Sequence, residues 1–181
     1  MSFGRATLGL YNSYDPVKFR EAHRRALARA GALASAFRLN LATFGFPFPG
    51  EISLPREAAD WVASTTSIGE DGMYLRELAQ QGRFDAFPLP GKGFPPQMGE
   101  VVLTTSRPEG KKELSPEEVV KFLRSGRGVC LLFGLGPKGV PKGIRRITRY
   151  HLDITGDSRS LETCTAMGAV VGVIAHLLSR S

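Results

Sequence analysis

Two hydrophobic periods take turns along this chain: short apolar runs of strand type give way to stripes of helical spacing, and back again, from one end to the other. ATLGLY (Ala6 to Tyr11) predicts a first strand, and Asp15 followed by Pro16 predicts a helix start, with the helix running to about Gly31. At about 100° per residue, Phe19, Ala22, Ala26, Ala30 and Leu33 share one helix face, and Lys18, Arg25 and Arg29 form a basic stripe at its border. ASAFRLNLATF predicts a second strand, and residues 45–55 a loop rich in Phe, Pro and Gly. Helices are predicted over Arg56 to Ser64 and Asp71 to Gln81, the second behind the capping-box spacing Ser67-Ile-Gly-Glu70.

The second half repeats the alternation. FDAFPL (Phe84 to Leu89) predicts a short strand, Pro88 to Gly99 a loop, and EVVLTTS a strand ending in hydroxyl residues. Ser115 and Pro116 open a capped helix over Glu117 to Arg124. GVCLLFGLGPKGVP reads as a buried strand running into a glycine-rich turn, KGIRRITRYH as a short basic segment, YHLDIT as a strand, and Leu161 to Leu178 as the last helix. There is no internal repeat. Strands alternating with helices predict an α/β fold on a largely parallel sheet, and 181 residues of 42% hydrophobic content suit one domain spanning residues 1–181.

Composition narrows the function. No run approaches the roughly 18 apolar residues of a membrane span, and the N-terminus lacks a charged start before an apolar stretch, so a cytoplasmic protein is expected. Cys130 and Cys164 sit in apolar surroundings without metal-ligand spacing, which predicts reduced thiols and no metal site. His23, His151 and His176 share no spacing and read as structural. Twenty-four Lys and Arg against 17 acids leave +7, which favours an anionic partner. Lys138, Lys142, Arg145, Arg146 and Arg149 fall within twelve residues beside the glycine-rich turn and, with Lys18, Arg25 and Arg29, are candidates for RNA-backbone contact.

Gly134-Leu-Gly136-Pro-Lys-Gly139 matches the dinucleotide pattern GxGxxG, but Pro137 and Pro141 bracket the third glycine where a nucleotide-binding helix should begin. The P-loop pattern fails as well, because Val140 and Pro141 follow Gly139 where lysine and a hydroxyl residue are required.

VVLTTSRPEG (101–110), LLFGLGPKGVP (131–141) and LDITGDSRSLETCTAMGAV (152–170), in that order and spacing, resemble the three cofactor loops of the SPOUT methyltransferases, named for the SpoU and TrmD enzymes. The overall likeness is to an archaeal SPOUT-like group of undefined activity. The resemblance implies a single-domain α/β parallel-sheet fold whose part from about residue 100 to 181 is a trefoil knot, a homodimer, and S-adenosylmethionine as cofactor. It also implies a cofactor site made of Thr104, Thr105 and Ser106 from the first loop and Phe133, Gly134, Leu135, Gly136 and Gly139 from the second. The third loop would add Leu152, Ile154, Ser160, Leu161 and Thr163. Such a site suits the residues: glycines permit close backbone approach, and Phe133, Leu135, Leu152 and Ile154 can enclose an adenine.

Asp15-Pro16 with Arg25-Ala-Leu-Ala-Arg-Ala-Gly31 resembles the first helix of the ribose-methylating branch and implies that Arg25 contacts an RNA phosphate or helps activate a ribose hydroxyl. That branch carries glutamate where Gly136 stands and asparagine where Glu162 stands, while Gly-Pro-Lys-Gly resembles the base-methylating branches, so ribose and base targets both remain open. Glu162 is either a base beside the cofactor or an acid at a helix N-terminus. The resulting expectation is an RNA methyltransferase acting on tRNA or rRNA; the alternatives are a non-catalytic RNA-binding or ribosome-assembly protein on the same scaffold and a nucleotide-dependent enzyme. In the last helix Met167, Val170, Val171, Ile174, Leu177 and Leu178 form one apolar face, and Cys164, Gly168 and Gly172 form a small-residue stripe for a sister subunit or for the first helix.

Overall fold

A computed structural model of the chain describes residues 2–65 and 67–180; Met1, Thr66 and Ser181, within the expected domain span, lie outside the described residues. Six strands form one parallel sheet: β1 (Ala6–Tyr11), β2 (Asn40–Phe44), β3 (Phe84–Phe87), β4 (Glu100–Thr104), β5 (Val129–Gly134) and β6 (Tyr150–Leu152), in the order β3-β2-β1-β5-β4-β6. The helices are α1 (Glu21–Ala36), α2 (Pro55–Ala63), α3 (Asp71–Gln80), α4 (Pro116–Arg124), α5 (Lys142–Ile147) and α6 (Thr163–Ser179).

Strand alternation sends Leu8, Leu10, Leu41, Val102, Leu131, Phe133 and Leu152 to one face, where α1, α2, α3, α4 and α6 bury them. The opposite face presents Tyr11, Ala42, Phe44, Leu103, Cys130 and Leu132, covered by Ile144 and Ile147 of α5 and by Phe94 and Met98 of the 88–99 loop. Both strand neighbours of β5 end level with it, Tyr11 pairing with Gly134 and Leu103 with Leu132, so the loops that follow emerge together at one edge.

Several elements differ from their expected bounds. α1 begins at Glu21 rather than at Asp15-Pro16, because Asp15 Oδ1 accepts from the backbone N–H groups of Val17 and Lys18 at 2.9 Å and folds that stretch into a turn. It also runs past Gly31 to Ala36, taking residues assigned by pattern to the second strand; Gly31 is buried where Leu75 of α3 packs closely. The buried face carries His23, Leu27, Ala30 and Ala34, while Ala22 is exposed, so the helix is rotated from the predicted face. Ser67 does not cap α3, whose N-cap is Glu70 without a side-chain bond. The basic segment after Pro141 is a short helix, and β6 stops at Leu152 because Asp153 turns its carboxylate onto the loop beyond. Ser115 caps α4 as expected, accepting from Glu118 N at 3.3 Å while Glu118 Oε2 accepts from Ser115 N at 2.8 Å.

Candidate functional site

Three loops meet over the ends of β4, β5 and β6 around a cleft of about 1110 Å³. From the first, Thr104 Oγ1 donates to Leu132 O at 2.9 Å and Thr105 N to Leu152 O at 2.9 Å, which ties β4 to both of its neighbours. Thr105 Oγ1 then accepts from Arg145 Nη1 of α5 at 3.2 Å, and Arg145 Nη2 donates to Arg107 O. Lys112 Nζ donates to Arg145 O at 2.9 Å and to Arg146 O at 3.3 Å at the end of α5, where Thr148 Oγ1 also donates to Arg145 O at 3.0 Å. His151 is fully buried behind this network; Nδ1 accepts from Glu109 N at 3.1 Å and Nε2 lies 3.2 Å from Thr148 Oγ1. Burial pushes its pKa down.

The second loop is held from below. Leu135 N donates to Tyr11 O at 2.9 Å and Gly136 N to Ser13 Oγ at 2.9 Å. A Cβ at Gly136 would lie 2.2 Å from Ser13 O, so no side chain fits there. Gly136, where the resemblance to the ribose-methylating branch would place glutamate, is thus held as glycine by backbone meeting backbone. Gly139 has the opposite reason for being glycine: its φ is +65°, it closes a turn with its N–H on Gly136 O at 3.0 Å, and a Cβ would meet nothing within 4 Å.

In the third loop Asp153 Oδ1 accepts from Thr155 N at 3.0 Å and Oδ2 from Ser158 N at 2.8 Å. Thr163 Oγ1 donates to Gly134 O at 2.9 Å and fastens the start of α6 beneath the second loop. Glu162 is the N-cap of α6, its Oε2 accepting from Cys164 N at 2.9 Å and Thr165 N at 3.1 Å. Burial opposes the charge on Glu162, but those N–H groups outweigh it and the pKa falls below the usual range; Asp153 is likewise lowered by its loop donors against the effect of burial. Neither carboxylate of the cleft has the raised pKa of a desolvated base.

Every residue expected at the cofactor lines this one cleft: Thr104, Thr105 and Ser106; Phe133, Gly134, Leu135, Gly136 and Gly139; Leu152, Ile154, Ser160, Leu161 and Thr163. The basic residues divide. Lys138 and Lys142 line the same cleft, Arg145 is drawn into its wall, Arg146 lines a second, smaller cleft, and Arg149 is exposed outside both. Lys18 is exposed on the turn before α1, and Arg25 on α1 pairs with Glu21 at 3.2 Å; neither lines the cleft. Arg29 reaches across to Cys164 and lies close enough to Glu162 to help hold its charge. Asn12, Ser13, Arg107, Lys112, Asp153 and Arg159 escaped the pattern reading, since each is an isolated polar residue in a loop. Cys130 is fully buried and its thiol pushed up to about 12 by burial, whereas Cys164 is half-buried. Among the described residues no group of His, Cys, Asp or Glu is arranged to hold a metal ion, and no helix is long and apolar enough to cross a membrane.

Residues 6–175 match the family described as Protein of unknown function (DUF531). The chain belongs to that family. It is 40% identical over 170 residues to the uncharacterized protein MJ0224 of Methanocaldococcus jannaschii, covering 94% of this chain and 93% of the relative. Among solved structures it is similar to a probable methyltransferase from Bordetella pertussis, with a TM-score of 0.64 and 11% identity over 97% of each chain. TrmJ from Z. mobilis gives a TM-score of 0.59 at 18% identity, covering 99% of this chain and 70% of that one. The SpoU methyltransferase AviRb from Streptomyces viridochromogenes, in complex with AdoMet, gives 0.55 at 12% identity, covering 100% of this chain and 60% of that one. The DUF531 chain thus shares the α/β fold of these methyltransferase structures, with the parallel sheet expected from its sequence.

Proposed function

We propose that the cleft binds S-adenosylmethionine and that the protein methylates RNA. The observation that carries this reading is the convergence of all three loops on one cleft of about 1110 Å³, walled by Phe133, Leu152, Ile154, Ala166 and Val170 and rimmed by loop backbone. These residues fit the cofactor: an apolar wall suits an adenine, the open space beside Gly139 leaves room for close backbone approach, and Arg145, Arg159 and the hydroxyls of Thr105 and Ser160 suit the polar end of an amino acid. When bound, the cofactor supplies an electrophilic methyl group on a sulfonium. The chain's own part is positioning: Thr163 ties the third loop to the second, Arg145 of α5 ties down the first, and Ser13 holds the second from the loop after β1, so the cleft is formed before anything enters it.

RNA as the substrate is supported by Lys138 and Lys142 at the mouth and by the exposed cations Lys18, Arg146 and Arg149. Arg29 would bring α1 to the same rim, with Arg25 one turn earlier a candidate for the RNA backbone. The C-terminal part, about residues 100–181, is proposed to be threaded as a trefoil knot. In support, β6 lies at the sheet edge beyond β4, yet α6 returns to pack on α4 and α1 with Thr163 bonded to Gly134. A homodimer through α6 is supported by its open stripe: positions 168 and 172 have nothing within 4 Å of a Cβ, and Val173 beside them is 38% exposed.

A second reading, an RNA-binding protein without catalysis, is favoured by the state of the acids. Glu162 and Asp153 are both lowered, and Glu162 is occupied as a helix cap, which leaves its role as a base dependent on substrate. Calorimetry with S-adenosylhomocysteine, joined to mass spectrometry of nucleosides from cells with and without the gene, separates the two. Binding plus a lost modified nucleoside supports the enzyme; binding with an unchanged nucleoside profile supports the second reading; absence of binding ends the first.

A further inference from the structure

A second cleft of about 380 Å³ opens on the other face of the sheet, lined by Tyr11, Pro90, Pro141, Ile144, Arg146 and Ile147 among others. One thickness of chain divides it from the larger cleft: Val140 and Lys142 line the first, Pro141 and Gly143 the second. Tyr11, the last residue of β1, is among its lining residues. The main chain of Tyr11 holds the second loop through Leu135 N, while its side chain turns to the opposite face and is only 5% exposed. Burial raises the phenol pKa, and the hydroxyl has no hydrogen-bond partner among the described residues. The ring is buried but the hydroxyl opens onto the cleft rather than into the core, so it is free to bond a ligand there.

The rest of the lining defines that ligand. Two proline rings and two isoleucines make flat apolar walls, no carboxylate is among the lining residues, and the cation is Arg146, exposed and without a side-chain partner among the described residues. Lys92, next to the lining Gly91, adds a second exposed positive charge. The volume lies at the lower end of the range of about 300–1,000 Å³ typical of small-molecule sites. An apolar cleft with one open hydroxyl and a cation at its mouth suits a planar heterocycle carrying a phosphate.

We propose that this second cleft takes one nucleotide of the RNA substrate, its base between Pro90 and Pro141 with a polar edge on the Tyr11 hydroxyl, and its phosphate at Arg146. The assignment rests on the reading of the larger cleft as a methyl-donor site serving RNA. It places a recognition subsite on the far side of the 140–142 strip, where an occupied slot would hold a strand in register with the cofactor loop.

The test uses the full chain, calorimetry with each of the four nucleoside 5′-monophosphates, and fluorescence anisotropy with a single-stranded hexaribonucleotide. Tyr11→Phe should leave the melting temperature unchanged, because its hydroxyl has no protein partner to lose, and should weaken binding about fivefold. Arg146→Gln should weaken it about tenfold and flatten its salt dependence. Binding of mononucleotides as well as the oligomer identifies a site for the nucleotide unit itself; binding of the oligomer alone identifies a site that needs the strand; both support the proposal if the variants weaken them. Equal affinity in wild type and both variants, or no binding of either probe, overturns it. S-adenosylhomocysteine titrated into the same samples keeps the two readings apart: its failure to bind while the variants still weaken nucleotide binding ends the methyl-donor reading and leaves the second cleft standing.

Discussion

The loop after β1 and the loop after β5 leave adjacent strands, touch each other, and follow opposite plans. In residues 12–20 the polar groups answer one another: Asn12 Nδ2 donates to Asp15 O and to Gly45 O at 2.8 Å, and its Oδ1 accepts from Tyr14 N at 3.2 Å and from His23 Nε2 at 2.9 Å. Asp15 accepts from Val17, Lys18 and Arg20, which holds its carboxyl far below the usual range. Residues 134–142 do the reverse, with glycine backbone and the cations Lys138 and Lys142 turned toward the cleft. The first loop is a buttress and the second, on the proposed reading, a receptor. A residue that touches a binding loop is thus not thereby a binding residue, and Ser13, with its hydroxyl on Gly136, belongs to the buttress.

The sharpest way to break that comparison is at the contact itself. Gly136→Ala drives a methyl onto the Ser13 carbonyl, two backbones must part, and the expected loss is roughly 3 kcal/mol of stability together with cleft binding. Gly139→Ala faces open space and suffers only from its positive φ, an expected cost of about 1–2 kcal/mol. Denaturant melts of the two variants should rank in that order, and a Gly136→Ala protein that melts like wild type would remove the buttress. Next in size is Asn12→Ala, which strips partners from two carbonyls and from His23; about 2 kcal/mol should be lost, with little change in any ligand's affinity beyond what unfolding explains.

Glu162 sharpens the comparison from the receptor side. As a cap, Glu162→Ala should cost about 1 kcal/mol and Glu162→Gln less, since an amide oxygen still accepts from Cys164 and Thr165. The rate of the proposed methyl transfer should then change by less than about twofold in Glu162→Gln, whereas a drop of about a hundredfold would make it a base after all.

The gentlest probe is pH. His23 and His151 are fully buried, each accepts a backbone N–H on Nδ1, and burial lowers both pKa values. The unfolded chain takes up protons near the ordinary histidine value of about 6.5 while the folded chain does not, so stability should fall as pH drops through that region and level off below the folded pKa values. Asp15, Asp153 and Glu162 stay ionised there because their pKa values are lowered. Urea midpoints measured from pH 7.5 to 5 should therefore decline; a flat profile would mean that neither histidine is held neutral.

Much of this architecture is written in local sequence. The strands Ala6–Tyr11 and Val129–Gly134 are apolar runs buried on both faces, the Ser115-Pro116 cap is a local hydrogen-bond pattern, and the hydroxyl and glycine loops stand at strand ends where the cleft opens. The cleft's lining was legible through the resemblance of those three short loops to SPOUT cofactor loops, each a local segment at a strand end. What lay beyond it depended on contacts between distant segments. Only tertiary packing carries α1 through Gly31 to Ala36, because burial against α3 outweighs the local cost of a glycine. Likewise it separates five cations that are neighbours in the chain: Lys112 and Thr105 tie down α5 and turn Arg145 into a wall, leaving Arg146 on the other side and Arg149 outside. The sequence by itself determined the order of strands and helices, the glycine and hydroxyl loops that line the cleft and the surplus of positive charge. The tertiary structure alone decided which charges are free, since a side chain is spoken for only once folding has brought its partner within about 3 Å.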